Sequence, residues 1–163
     1  DLGCGCGIVG IWAAKIVGEE NVFMSDADPN AVEAAASNAE RNGVEVLFRQ
    51  KDVLKASPEE ARYDVIVSNP PYIAEKEKVD MEANVLDWEP SIALFVPDED
   101  PLLFYRKIAQ LGCSMLKEGG ALYFEINRAY GNGTVNMLKE KGYTDVELRK
   151  DMFGNDRMVK AVR

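Results

Sequence analysis

The 163-residue chain contains no histidine at all. That absence removes the Ser-His and Cys-His nucleophile systems, the two-histidine zinc helix and any imidazole base. Chemistry must then rest on carboxylates, amides, backbone groups or a cofactor. Cysteine is nearly as scarce. Cys4, Cys6 and Cys113 form neither a CxxC pair nor an even disulfide set, which points to a reducing, cytoplasmic setting and to no metal site. No apolar run reaches the roughly 20 residues of a membrane span, so no membrane partner is expected. A signal-peptide pattern is also missing, and a chain that opens on Asp1 without an initiator methionine is expected to continue upstream. Basic residues are in deficit, 19 against 28 acidic, and the net charge of −9 has the wrong sign for holding nucleic acid through its phosphates. A nucleic-acid substrate would need a local basic patch or a second domain. What remains is a chain 47% apolar with mixed charges, long enough to bury a core without disulfides and expected to form one monomeric globular domain over residues 1–163.

Apolar, β-rich runs alternate with helical patterns along it. Residues 21–24, 44–48, 64–68, 121–126, 145–148 and 158–162 read as strands. Asp28-Pro29 supplies an N-cap and a proline for the first helical position, and the alanine-rich stretch to Arg41 ends at Asn42-Gly43. Residues 101–117 place Leu102, Leu103, Tyr105, Ile108, Leu111, Met115 and Leu116 near one helical stripe, stopping at Gly119-Gly120. A further helix spans residues 132–141, closed by Gly142. This order predicts an α/β fold with a mostly parallel sheet and helices on both faces. The last two strands, joined through Phe153-Gly154-Asn155, should pair antiparallel at one edge. Residues 73–100 show no clear period and read as a functional loop with short helical pieces.

Asp1-Leu2-Gly3-Cys4-Gly5-Cys6-Gly7-Ile8-Val9-Gly10 reads as the end of a strand, a tight turn and the start of a helix, where glycines admit close approach of a ligand. Gly5 to Gly10 also fits GxGxxG, so a dinucleotide turn and a plain connecting turn remain alternatives. Asp1, directly before the glycines, suits a cationic amino group better than a pyrophosphate. Asp26, at the end of the next strand, stands where a ribose-binding carboxylate belongs in such sheets. Together the acidic-flanked glycines and Asp26 resemble motif I and the ribose position of class I S-adenosylmethionine methyltransferases. The resemblance implies a Rossmann-like fold and S-adenosylmethionine as cofactor. It sets Gly3, Gly5 and Gly7 against the methionine part, Asp26 on the ribose and Asp52-Val53 along the adenine, Asp52 being otherwise a turn or N-cap aspartate. Cys4 and Cys6 fall within the same cofactor loop as small packing residues rather than nucleophiles.

The run 63–68 leads straight into Asn69-Pro70-Pro71-Tyr72. Two prolines cannot continue a ladder, so the chain leaves the sheet in a stiff turn at the carboxyl end of a strand, where open α/β sheets bind ligands. Such a turn fixes two acceptors, the Asn69 side-chain oxygen and the Pro70 carbonyl. A planar NH₂ is a poor nucleophile because its lone pair is delocalised. Gripping its two N–H bonds favours pyramidalisation and stabilises charge as nitrogen attacks a sulfonium methyl. Tyr72 would stack on the flat substrate group or line the methyl channel. Asn69, Pro70, Pro71 and Tyr72 are thus the candidate catalytic residues, with Asn69 also beside the cofactor.

The same four residues serve methyltransferases of exocyclic amines on nucleobases and of glutamine amides. Asn69 to Ile73, Glu89-Pro90 with Ala93-Leu94, and Asp151 through Gly154-Asn155-Asp156-Arg157 resemble the HemK/PrmC family of peptide chain release factor glutamine methyltransferases. The resemblance runs from Asp1 to the end, the catalytic domain of that family. It implies methylation of the glutamine in the Gly-Gly-Gln loop of release factors, and an N-terminal helical domain and first-strand start that this sequence lacks. A ribosomal-protein glutamine methyltransferase and a nucleobase amine methyltransferase are the alternatives. Glu89-Pro90 reads equally as a plain loop turn, and Asp156-Arg157 as a structural ion pair at the sheet edge.

Overall fold

A computed structural model describes residues 1–60, 62–80 and 91–163, and the chain divides into two compact units. The first comprises Asp1–Ser57 with Val67–Asn69. It holds helix α1 (Ile8–Val17), strand β1 (Phe23–Asp26), helix α2 (Pro29–Arg41) and strand β2 (Leu47–Gln50). β1 and β2 pair in parallel, from Phe23 opposite Leu47 to Asp26 opposite Gln50. Leu2 bridges in parallel to Ser25 on one side and Ser68 on the other, and the Ser68 hydroxyl donates to the Leu2 carbonyl at 2.6 Å. Asp28 caps α2 as its sequence predicts, its carboxylate accepting the Asn30 N–H at 2.9 Å with Pro29 at the first helical position. Ile11 and Ala14 of α1, Met24 of β1, Ala35 and Ala39 of α2, and Cys4 and Val44 form this unit's core.

Both strands of this unit begin two or three residues later than the sequence pattern suggests. Asn21 closes a 3₁₀ turn, Glu19–Asn21, before β1 can start. Val44 finishes α2 instead of opening β2: its N–H donates to the Ala39 carbonyl while its side chain is buried.

The second unit comprises Pro58–Ile66 and Pro70–Arg163. In chain order its elements are strand β3 (Tyr63–Ser68, whose last two residues belong to the first unit), β4 (Ile73–Ala74), helix α3 (Ser91–Leu94), β5 (Phe95–Val96), α4 (Leu103–Met115), β6 (Leu116–Glu125), α5 (Gly131–Glu140), β7 (Thr144–Lys150) and β8 (Asp156–Val162). The strand order is β3-β6-β8-β7, and β8 runs antiparallel to both its neighbours, which is the expected C-terminal hairpin with β7 at the edge. Tyr105, Ile108 and Leu111 of α4 and Leu122 and Phe124 of β6 are all buried, and the Tyr105 and Phe124 rings meet edge-on at 5.2 Å. Residues 73–100 contain a 3₁₀ turn (Glu75–Asp80), the short α3, and an unforeseen parallel pair of β4 with β5. Glu89-Pro90 lies outside the described residues.

Gly119-Gly120 does not stop the long helix. α4 ends at Met115, Leu116 is already extended, and both glycines lie within β6. They accept the end of the chain: the Gly119 N–H donates to the Arg163 carbonyl and the Arg163 N–H to the Gly120 carbonyl. A Cβ on Gly120 would stand 2.9 Å from the Lys117 carbonyl oxygen, so close backbone approach, not helix capping, demands glycine there. No helix of the described residues is long and apolar enough to cross a membrane.

Candidate active site

In the first unit the glycine turn is shaped by three left-handed residues, Gly3 (φ 71°), Gly5 (φ 52°) and Gly7 (φ 84°). The N–H groups of Gly3 and Cys4 both donate to the Ser25 carbonyl, tying the turn to β1. Its two acidic residues hold the backbone from either end. Asp26 Oδ2 accepts the Gly5 N–H at 2.9 Å while its Oδ1 accepts the Asp28 N–H at 3.0 Å. Asp1 Oδ2 accepts the Gly10 N–H at 3.2 Å, in the first turn of α1, where a carboxylate also meets the positive end of the helix dipole. Gly10 itself is a packing requirement, since a Cβ there would collide with the Met24 sulfur in the core. Beside Gly3 and Gly5, by contrast, a Cβ would meet no atom of the described residues within 4 Å.

The two cysteines of the turn part company. Cys4 is buried, and burial with the neighbouring Asp26 carboxylate pushes its thiol up to about 11. Cys6 is exposed rather than packed, and its carbonyl accepts from Asn38 Nδ2 at 2.9 Å. Asp52 lies after β2 in a turn, accepting the Leu54 N–H at 2.9 Å and pairing with Lys55 at 3.0 Å, which holds its carboxyl below the usual range. Asn69, the last residue of this unit, is exposed, and its side chain bonds to none of the described residues. A hollow of 470 Å³ between α2 and β2, lined by Ala36, Ala39, Val44 and Phe48, contains none of these residues.

Pro70, Pro71 and Tyr72 open the continuation of the second unit, and Tyr72 is its best-connected site residue. Its phenol donates to Glu125 Oε1 at 3.3 Å, and burial followed by the Glu125 charge raises it above the ordinary tyrosine range. Arg157 Nη1 lies 3.9 Å from the same Glu125 oxygen, and Arg157 Nε lies 3.7 Å from Asp151 Oδ2. The Tyr72 carbonyl accepts from Asn127 Nδ2 at 3.1 Å. Arg157 therefore does not pair with Asp156, which instead meets Lys150 at 3.3 Å. Neighbours on a strand face opposite ways, so the adjacency of Asp156 and Arg157 in sequence separates their side chains.

Glu125, Asn127 and Glu77 are the site residues that sequence reasoning missed. A carboxylate and an amide two residues apart at the carboxyl end of a strand were the available signal.

A family model described as the methyltransferase small domain matches residues 1–87. A curated protein of Bacteroides thetaiotaomicron, named release factor glutamine methyltransferase, is 49% identical over 164 residues, covering 100% of this chain and 59% of its own length. One of the same name from Flavobacterium psychrophilum is 43% identical over 160 residues, covering 98% of this chain and 56% of its own length. This chain thus spans somewhat over half of either relative. Among solved structures, a methyltransferase from Pyrococcus furiosus superposes with a TM-score of 0.69 at 20% identity, covering 99% of this chain and 73% of that one, a likeness of fold. The expected Rossmann-like α/β architecture and the family assignment rest on separate grounds that agree, and the chain belongs to the methyltransferase small domain family.

Proposed function

We propose that the chain is the catalytic part of an S-adenosylmethionine-dependent methyltransferase that acts on the side-chain amide nitrogen of glutamine, in the Gly-Gly-Gln loop of a peptide chain release factor in the cytoplasm. The observation that carries the reading is Asn69: an exposed amide, unbonded among the described residues, directly after β3 and directly before two prolines. The names of the two relatives support the choice of substrate.

The glycine turn fits the cofactor on its own geometry. Open space flanks Gly3 and Gly5, and Asp26 spends one lone pair of each oxygen on backbone N–H groups, keeping another on each for ribose hydroxyls. Asp1 offers a carboxylate for an amino group, and Asp52-Val53 would lie along the adenine. Cys4 contributes bulk and no nucleophile, since its thiol stays protonated through neutral pH. When bound, S-adenosylmethionine supplies an electrophilic sulfonium methyl. The Asn69 side-chain oxygen and the Pro70 carbonyl accept the two N–H bonds of the substrate amide, favouring the pyramidal nitrogen of the transition state over the planar ground state. Pro70 and Pro71 hold those acceptors without an ordering cost. Tyr72 presents its ring to the flat amide. With no histidine in the chain, the grip itself does the work of activation, and the proton that the methylated nitrogen sheds passes to the solvent beside exposed Asn69.

Incubating the full-length protein with methyl-labelled cofactor and a release factor tests the reading. Tandem mass spectrometry should place the label on the Gly-Gly-Gln glutamine. Label on a ribosomal protein, on RNA or on DNA would overturn it.

A further inference from the structure

Glu125 closes β6, Ile126 is wholly buried, and Asn127 follows in extended conformation at 7% exposure. Residues 125 and 127 therefore leave the chain on the same side, and both reach Tyr72. Glu125 takes the phenol end of its side chain, Asn127 the carbonyl end of its backbone. The Asn127 amide has no freedom to do otherwise. Its Nδ2 donates to the Tyr72 carbonyl and to the Glu77 carboxylate (3.3 Å to each oxygen), while its Oδ1 accepts the Ala129 N–H at 2.9 Å. Only one orientation of the amide satisfies all three partners. Glu77 in turn accepts the Ala74 N–H at 2.9 Å, so Asn127 ties both ends of the segment that follows Tyr72.

We propose that Glu125 and Asn127 are positioning residues for methyl transfer: they clamp Tyr72 at its two ends, with Arg157, braced on Asp151, holding Glu125 in place. Pro70 and Pro71 preset the backbone before Tyr72 but leave the direction of its ring open. The clamp closes that freedom. Glu125 and Arg157 are both part-exposed, so the phenol end is a guide of modest strength, whereas the buried Asn127 end is the anchor. The consequence rests on the proposed function, because the ring is held to face a planar amide.

The test uses the full-length protein and a release factor. Glu125→Ala should lower kcat about fivefold with cofactor affinity unchanged, and should cost nothing further in a Tyr72→Phe background. Glu125→Gln keeps an oxygen acceptor and should recover most of the loss. An equal cost of Glu125→Ala with and without the Tyr72 hydroxyl would overturn the clamp, as would a glutamine no better than alanine. Fluorine NMR of fluorotyrosine-labelled protein reads the same contact without turnover. The Tyr72 resonance, assigned by its loss in Tyr72→Phe, should move in Glu125→Ala. A moved resonance with an unmethylated release factor retires the proposed function and keeps the clamp. A resonance that stays put overturns the clamp whatever the wild-type activity.

Discussion

The glycine turn and the Tyr72 cluster are built by opposite means. The turn is made of backbone: left-handed glycines, N–H groups on Asp1, Asp26 and Ser25, and a helix pressed against β1 at Gly10. Nearly all of it lies within ten consecutive residues. The cluster is made of side chains drawn together from afar, with Glu125 53 and Asn127 55 residues beyond Tyr72. A backbone device should resist change most at a glycine packed against a neighbour and least at one that faces open space. A side-chain device should yield by degrees, one contact at a time.

Substitutions put that contrast to the test. The largest loss of stability is expected from Gly10→Ala, whose methyl would collide with the fully buried Met24, at about 3 kcal/mol in chemical denaturation. Next comes Asn127→Ala, which strips a donor from the Tyr72 carbonyl and the Glu77 carboxylate, at about 2 kcal/mol by the same measurement. Gly5→Ala should cost only about 1 kcal/mol, because its methyl meets open space and only the left-handed backbone resists it. A Gly5→Ala loss as large as that of Gly10→Ala would show the turn to be packed rather than open.

The smallest effect concerns the thiols. The Cys4 pKa is raised, so the reactive thiolate is withheld until the pH approaches about 11. At pH 8 an alkylating reagent should modify exposed Cys6 and leave Cys4 untouched in the folded protein, as mass spectrometry of the digest would read. The sign extends to stability. The folded thiol binds its proton more tightly than the unfolded one, so Cys4 favours folding below the unfolded pKa and loses that contribution as pH climbs toward about 11.

The same contrast decides what the sequence could reveal. α2 was legible from end to end because its signals are local: Asp28 caps it, Pro29 starts it and Asn42-Gly43 closes it. The antiparallel C-terminal pair was legible for the same reason, a short connection leaving little choice. Gly119-Gly120 misled because glycine marks both a helix end and a close backbone approach, and only the Arg163 contacts tell them apart. Asp156-Arg157 misled because a strand turns adjacent side chains away from each other. Glu77 carried no local mark, and Glu125 and Asn127 carried only their spacing at the end of a strand. Their roles come from pairings fixed by the fold, as when the Ile126 N–H bonds to the Arg157 carbonyl and brings the ends of β6 and β8 together.

Asn69→Ala in the full-length protein probes the proposed grip on the substrate nitrogen without touching the glycine turn. Methyl transfer to the release factor should slow about 100-fold or more, the scale of a lost transition-state acceptor, with S-adenosylmethionine affinity by calorimetry little changed. An unaffected rate, or a loss that merely follows a matching loss of cofactor affinity, would contradict the grip.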